Sequence, residues 1–266
     1  MIKLIATDMD GTLLNSKKEF PPDFDETLNS LKERGIHFVA ASGRSFSTLK
    51  LNFEGKLDKL DFICDNGAYV VVDGKLASKS VIDNTKLEAL VKKCLELEGV
   101  TPVLCGMNGI YFQKTDDFFF NEVRKYYLHY ICVDDITAVD DDIVKVAVCD
   151  SKGPRNNSLP ILTELFSKEL YVAETGPYWV DVMNVGINKG AALEKIQREL
   201  GISRQETMAF GDYFNDAEML LAAEYGFVME NAHSEMAKYG RYRAASNDDH
   251  GVTKAIREYE LEGEPK

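Results

Sequence analysis

One stretch near the start of the chain constrains the fold most. The short apolar run at residues 4–6 leads into Asp8, Met9, Asp10 and Gly11. Because the run is brief, unbroken and followed by a turn signal, it predicts a buried strand. The carboxyl end of such a strand is where open α/β sheets usually build their sites. Residues two apart in a strand point to the same side, so both carboxylates could face one ligand, although the stretch alone also fits a solvated turn.

The same alternation of strand, polar loop and helix recurs along the chain. Helical spacing over residues 24–31, with Gly35 after it, predicts a helix, and residues 36–41 predict the next strand. A β-α-β unit of this kind implies a parallel sheet. The alternation of strands and helices returns from Lys189, with a predicted helix and then predicted strands at 207–210 and 226–229. The predicted fold class is therefore α/β, with a Rossmann-like parallel sheet core flanked by helices.

Between these regions the pattern changes. Over residues 83–186, short β-like runs alternate with helical segments that do not continue the β-α-β order. A stretch of that length and pattern predicts an inserted α+β domain. We therefore predict a core domain formed by residues 1–82 and 187–266, interrupted by a second domain at residues 83–186.

Composition narrows the expected partners and compartment. The 266 residues carry a net charge of -13, which argues against nucleic acid or an anionic membrane as partner, because both need a basic surface. No apolar run approaches the roughly 18 residues that a membrane span needs, and the first residues lack a signal-peptide pattern. The five cysteines are widely spaced and odd in number. We expect a cytoplasmic protein, monomer or dimer, with a small-molecule partner.

Four aspartates, all in loops that follow predicted strands, indicate a cation. Since the carboxyl ends of parallel strands share one edge of a sheet, these side chains are expected to cluster. Hard oxygen ligands without paired His or Cys favour Mg²⁺, and the four histidines show no ligand spacing. The four aspartates are Asp8, Asp10, Asp212 and Asp216.

Polar groups at the same predicted edge suit a phosphate. Ser42 and Gly43 offer a hydroxyl and backbone N–H groups at a strand-to-helix turn. Lys189 offers a positive charge and Asn215 an amide donor. Each has a structural alternative: Ser42 or Asn215 could simply cap a helix, and Lys189 could be an exposed residue of the first helical turn.

This combination suggests phosphoryl transfer. A carboxylate can attack phosphorus to form an aspartyl-phosphate, and a second acid two residues on could protonate the leaving alcohol and then deprotonate water. Because an ordinary Asp titrates near ~3.9, acid duty at neutral pH requires a raised pKa. A neighbouring carboxylate and burial could raise it.

In this order, the motifs resemble the haloacid dehalogenase-like (HAD) superfamily of phosphatases. More narrowly, the chain resembles its Cof-type group, whose large inserted cap (type IIB) would correspond to residues 83–186. The four motifs are residues 8–12, residues 41–44, Lys189 with Gly190, and residues 211–216. The Cof-type features are residues 65–68, the long insertion, residues 231–232 and residues 246–252.

The resemblance implies a role for each matched residue. Asp8 would be the nucleophile and Asp10 the general acid and base. The implied Mg²⁺ ligands are the Asp8 carboxylate, the Asp10 backbone carbonyl and Asp212, with Asp216 in support. The implied phosphate-binding groups are Ser42, Lys189, Asn215 and the backbone around Met9 and Gly43. Leaving-group contacts would come from the cap, with Arg44, Tyr178 and Asn184 as candidates, whereas Trp179 is interpreted as a core residue.

The expected activity is Mg²⁺-dependent hydrolysis of small phosphorylated metabolites, such as sugar phosphates, through an aspartyl-phosphate. A phosphotransferase or phosphomutase could use the same intermediate. A non-catalytic receiver-like module could also be phosphorylated on Asp8, but it would need neither an inserted cap nor a second acid at Asp10. The pair Tyr213 and Phe214 in the fourth motif is bulkier and more apolar than is usual in the resembling family.

Overall fold

The chain divides into two compact units in a computed structural model that describes residues 1–127 and 129–260. The first unit comprises Met1–Arg44, Phe53–Ser78 and Asn188–Lys266, and the second comprises Ser45–Asn52 and Lys79–Ile187. The boundaries predicted from the sequence, 1–82 with 187–266 and 83–186, stay predictions. Residues 261–266 of the predicted core lie outside the described residues.

Strands and helices alternate along the described part of the chain. The strands are β1 Leu4–Asp8, β2 His37–Ala41, β3 Asp61–Cys64, β4 Tyr69–Val72, β5 Lys75–Lys79, β6 Val100–Gly106, β7 Ile110–Gln113, β8 Ile131–Val133, β9 Ile143–Asp150, β10 Leu170–Gly176, β11 Trp179–Asn184, β12 Thr207–Gly211, β13 Tyr225–Met229 and β14 Tyr242–Ala244. The helices are α1 Phe24–Glu33, α2 Phe46–Asn52, α3 Asn84–Glu96, α4 Asp117–Tyr126, α5 Ser158–Phe166, α6 Lys189–Leu200, α7 Ala217–Leu221 and α8 Gly251–Glu260.

The first unit is organised on one sheet with the order β14-β13-β12-β1-β2-β3-β4-β5. The strands from β14 to β3 pair in parallel, and β4 pairs antiparallel with β3. The carboxyl ends of β12, β1, β2 and β3 therefore meet at one edge, as the sequence predicted. The predicted α/β fold class is confirmed.

Both faces of this sheet are covered. On one face, Leu4, Val39 and Val228 belong to an apolar cluster that includes Leu193 of α6 and Leu220 of α7. On the other face, aromatic side chains pack against the sheet. The ring centroids of Phe24 in α1 and Phe38 in β2 lie 5.7 Å apart. Burying strands on both sides explains why they read as continuous apolar runs in the sequence.

The second unit is built on a largely antiparallel sheet with the order β10-β11-β9-β6-β7-β8. Only the β7–β8 pair is parallel among its described pairings. One face packs against α3 and α5 through residues such as Leu90 and Leu162. The other face packs against α4, where Phe119, Phe112 and Trp179 share a cluster. Trp179 is thus a core residue, as interpreted from the sequence.

Two strands were not expected from the sequence, and both are short. Strands β8 and β14 have three residues each. Ile131 and Cys132 of β8 are exposed, so the apolar pattern that marks a buried strand is weak there. None of the helices in residues 1–127 and 129–260 combines the length and apolar character that crossing a membrane requires.

Candidate active site

Lys189 lies at the centre of the candidate site. It is the first residue of α6, which Asn188 caps by accepting a hydrogen bond from the N–H of Ala191 at 2.7 Å. The Lys189 side chain has no exposed surface, and its Nζ lies 2.5 Å from Oδ1 of Asp8 and 2.6 Å from Oδ1 of Asp216. The alternative of an exposed first-turn lysine is therefore wrong.

The loop after β12 is fixed by Asp216. Its Oδ2 accepts hydrogen bonds from the N–H groups of Asp212 at 3.0 Å and Tyr213 at 3.2 Å. Asp212 is held from the other side, because the hydroxyl of Thr12 donates to its Oδ1 at 2.9 Å. The first and fourth motifs are thus joined directly at the sheet edge.

Gly11 allows this close approach. Its φ of +84° lies in the left-handed region, which a side chain disfavours. An added Cβ would also lie 2.5 Å from Oδ2 of Asp212. The carbonyl of Gly11 accepts a hydrogen bond from Nδ2 of Asn231 at 2.8 Å, so the loop after β13 supports the same turn.

The acidic cluster fits a cation. Asp8, Asp212 and Asp216 each offer a carboxylate oxygen, and these atoms lie within 4.8 Å of one another. Burial raises the pKa of Asp8 to about 8; Lys189 opposes this rise and Asp216 adds to it. Burial and the charge of Asp216 likewise raise the pKa of Asp212 to about 6. One buried lysine therefore does not neutralise three carboxylates, and an all-oxygen donor set is what a hard divalent metal ion requires.

Asp10 has a different environment. Nε and Nη2 of Arg44 donate to its two carboxylate oxygens at 3.0 and 2.7 Å, and Nζ of Lys18 donates at 2.7 Å. Burial alone would raise the pKa of Asp10, but the hydrogen bonds and charges of Lys18 and Arg44 outweigh it and lower that pKa. The upward shift expected from the sequence is wrong, because two cations contact this carboxylate.

Two of the predicted phosphate-binding residues, Gly43 and Asn215, lie beside Asn66. Nδ2 of Asn215 donates to Oδ1 of Asn66 at 3.2 Å, and a Cβ on Gly43 would lie 3.3 Å from the Asn66 amide. Ser42 is buried, and its Oγ accepts a hydrogen bond from the N–H of Arg44 at 3.1 Å. Neither alternative for these residues applies: α2 begins four residues after Ser42, and Asp216 stands between Asn215 and α7.

Three further predicted residues are Met9, Tyr178 and Asn184. Met9 is fully buried beside Asp8, so only its backbone could serve a ligand. Two of the proposed leaving-group contacts, Tyr178 and Asn184, belong to the second unit. There Nδ2 of Asn184 donates to Oγ of Ser80 at 3.0 Å, and the ring of Tyr178 packs on Phe118 with centroids 5.2 Å apart. Their roles toward a substrate stay predictions.

Sequence reasoning missed several groups that position the site. Thr12 and Asn66 stand inside the recognised motifs, so their polar side chains could have been included. Asn231 was noted only as part of a family feature, yet it holds Gly11. Lys18 gave no signal, because a surface lysine ten residues after Asp8 has no fixed position until the loop folds back.

The parallel sheet with a cluster of aspartates at its carboxyl edge is the arrangement of an open α/β protein with a ligand site at that edge. A family model of haloacid dehalogenase-like hydrolases matches residues 5–256, and the chain belongs to this family. Five cysteines are free, four of them buried, and none lies in the site.

Proteins with similar sequences and structures support this family assignment. The 5-amino-6-(5-phospho-D-ribitylamino)uracil phosphatase YbjI of Escherichia coli is 32% identical over 257 residues, covering 96% of this chain and 95% of that protein. YcsE of Bacillus subtilis, a phosphatase of the same name, is 28% identical over 98% of this chain and 96% of its own length. A haloacid dehalogenase-like hydrolase from Bacteroides thetaiotaomicron has a similar structure, with a TM-score of 0.87, 25% identity and coverage of 97% and 99%. The chain is therefore a Cof-type phosphatase, a phosphoric monoester hydrolase.

Proposed function

We propose that this protein is a Mg²⁺-dependent phosphatase of small phosphorylated metabolites that works through a phosphorylated Asp8. The observation that carries the proposal is the contact of one buried lysine with two carboxylates. Lys189 lies 2.5 Å from Asp8, so its ammonium group orients the nucleophile and opposes the rise in the Asp8 pKa that burial causes. The same ammonium group can stabilise phosphoryl oxygens as charge develops on them.

The reaction has two steps. In the first, an Asp8 oxygen forms a bond to phosphorus, the bond from phosphorus to the ester oxygen breaks, and the leaving oxygen takes a proton from Asp10. In the second, Asp10 removes a proton from water as the water oxygen attacks phosphorus, and Asp8 is released with free phosphate. The low pKa of Asp10 suits its role as the base in this second step. The proton that Asp10 removes from water there is the one that it donates to the leaving oxygen in the next turnover.

The carboxylates of Asp8, Asp212 and Asp216 and the backbone carbonyl of Asp10 would hold the metal ion. Bound Mg²⁺ supplies positive charge that keeps the carboxylates ionised and offsets the charge of the phosphoryl group. Ser42, Asn215, Lys189 and the backbone at Met9 and Gly43 would bind the phosphate. The N–H groups and hydroxyl at this turn suit an anion.

The names of two relatives support a substrate class. The compound named for the Escherichia coli and Bacillus subtilis phosphatases is a phosphate ester of a ribityl chain, and sugar phosphates share its polyhydroxylated leaving group. We propose esters of this kind as substrates of the chain, with the inserted domain, residues 83–186, selecting among them. The candidate contacts are Tyr178 and Asn184 of that domain, together with Arg44 of the first unit.

Release of phosphate from 5-amino-6-(5-phospho-D-ribitylamino)uracil and from a panel of sugar phosphates tests the proposal. We expect release with Mg²⁺ present, none after chelation, and loss of activity in Asp8→Asn. A matched control is Asp58→Asn, because Asp58 is an exposed carboxylate that pairs with Lys32 in the same unit. Equal activity with and without divalent metal, or an active Asp8→Asn protein, would refute the mechanism.

A further inference from the structure

Three aromatic rings form an exposed cluster on the loops that carry the site. Tyr213 is 56% exposed and Phe214 is 40% exposed, and His233 is also exposed. The ring centroids of Tyr213 and Phe214 lie 5.2 Å apart, and those of Phe214 and His233 lie 4.8 Å apart. We call Tyr213, Phe214 and His233 the aromatic platform.

The backbone under this platform is fixed. The N–H of Tyr213 donates to the buried Asp216 carboxylate, and the N–H of His233 donates to the carbonyl of Asp212 at 3.1 Å. Nδ1 of His233 accepts a hydrogen bond from the N–H of Glu235 at 3.3 Å, which also orients its ring. The backbone that carries the platform is therefore held in place before a ligand binds, which limits the entropy lost there on binding.

Two of the platform residues are adjacent in the chain to both halves of the candidate site. Tyr213 directly follows Asp212, a candidate metal ligand, and Phe214 directly precedes Asn215, a candidate phosphate ligand. Neither ring has a role in the proposed reaction. Exposed large apolar side chains that cluster next to a polar site typically mark a ligand-binding surface.

We propose that the aromatic platform stacks a planar ring in the leaving group of the substrate. This inference rests on the proposed function and adds that ring-bearing phosphate esters are preferred over ringless ones. Aromatic faces bind flat π-systems better than flexible aliphatic chains, since stacking adds to the burial of apolar area. Because the chain carries a net charge of -13, a neutral ring suits the platform better than an anionic one.

Two substrates that differ only in a ring test this proposal. Ribitol 5-phosphate and 5-amino-6-(5-phospho-D-ribitylamino)uracil share the phosphorylated chain, and the second adds a uracil ring. The readout is the ratio of kcat/KM for the ring-bearing compound to that for the ringless one. From the usual strength of stacking on an aromatic side chain, we expect a ratio of about 5 to 100 for the unmodified protein.

Substitutions at the platform should change that ratio. In the double variant Tyr213→Leu with Phe214→Leu, apolar bulk remains but stacking is lost, so the ratio should fall toward one, mainly through a higher KM for the ring-bearing compound. The conservative variants Tyr213→Phe and Phe214→Tyr should keep the ratio. Tyr171→Leu is the matched control, because Tyr171 is 51% exposed on β10 and lies in the second unit.

The outcomes are distinguishable. Phosphate release from both compounds with a ratio near one in the unmodified protein overturns the platform proposal and leaves the phosphatase proposal standing. No release from any phosphate ester, with Mg²⁺ present, refutes the phosphatase proposal itself. A ratio that survives the double variant while its mass in solution drops from dimer to monomer would overturn the inference, because the platform would then cover a second copy of the chain.

Discussion

Nζ of Lys189 and Oδ1 of Asp8 lie 2.5 Å apart inside a site where the lysine has no exposed surface. A buried ammonium group is tolerated only when anionic partners compensate its desolvation. Here Asp8 and Asp216 both contact it, and together they raise the pKa of Lys189 although burial alone would lower it. The lysine thus stays charged beside the carboxylate that would attack phosphorus.

Removing that charge should be costly. Lys189→Met leaves two buried carboxylates without their cation, and losing one partner of a buried ion pair typically costs about 3–5 kcal/mol. We expect a lower free energy of unfolding in urea and no measurable phosphate release. Lys195→Met is the matched control, because Lys195 is exposed on the same helix; a Lys189→Met protein as stable and active as this control would contradict the account.

A divalent metal ion should stabilise the folded protein. Because the acidic cluster is undercompensated by Lys189, Mg²⁺ should raise the thermal unfolding temperature, and saturation at 100 times Kd corresponds to about 2.7 kcal/mol. Asp212→Asn removes one carboxylate and should reduce the shift. Calorimetry with and without Mg²⁺ measures both, and an equal shift in the two proteins would exclude Asp212 as a ligand.

The role proposed for Asp10 depends on the leaving group. An alkoxide needs a proton to depart and a good aryl leaving group does not, so Asp10→Asn should slow release from an alkyl phosphate far more than from an aryl phosphate. General acid catalysis contributes about 10²–10⁴-fold, which sets the expected difference between the two substrates. If both rates fall equally, Asp10 does not act as an acid, and its ion pairs with Arg44 and Lys18 serve the loop instead.

A pair remote from the proposed chemistry should make stability depend on pH. Nδ1 of His37 lies 2.8 Å from Oδ2 of Asp61, and this hydrogen bond, opposed by burial and supported by the charges of Asp61 and Asp73, raises the pKa of His37. A histidine whose folded pKa is raised stabilises fully below its unfolded pKa of about 6.5 and loses this contribution as the pH rises through the folded value.

The difference in unfolding free energy between the unmodified protein and His37→Gln should accordingly be larger at about pH 5.5 than at about pH 8.5. Urea unfolding at the two pH values measures it. Comparing the difference cancels the titration of the other carboxylates, which both proteins share. A difference that grows with pH would show that the ion pair does not raise the pKa of His37.

Strands and motif residues could be predicted because local patterns determine them. Apolar runs ending in Asp8, Ser42 and Asp212 predict strand ends, and parallel pairing then places those residues at one edge. The charge state of Asp10 could not be predicted, since Lys18 reaches it only after the loop turns back. Local spacing carries no information about such a contact.

The burial of individual side chains could not be predicted from the sequence either. Lys189 could equally have been an exposed helix residue, and only the folded chain places it against Asp8 and Asp216. Asn66 was likewise visible as part of a turn, but its contact with Asn215 joins loops 149 positions apart in the chain. Short edge strands such as β8 were not predicted, because their exposed residues give no alternating apolar pattern.

The most direct measurement is the position of phosphate on the protein during turnover. We would mix the Mg²⁺-loaded protein with a substrate carrying radiolabelled phosphate, quench with acid and map the label by peptide analysis. We expect label on the peptide containing Asp8, released by hydroxylamine as an acyl phosphate should be, and no label in Asp8→Asn. Phosphate release without a labelled Asp8 peptide under single-turnover conditions, or label that persists in Asp8→Asn, would contradict the proposed mechanism.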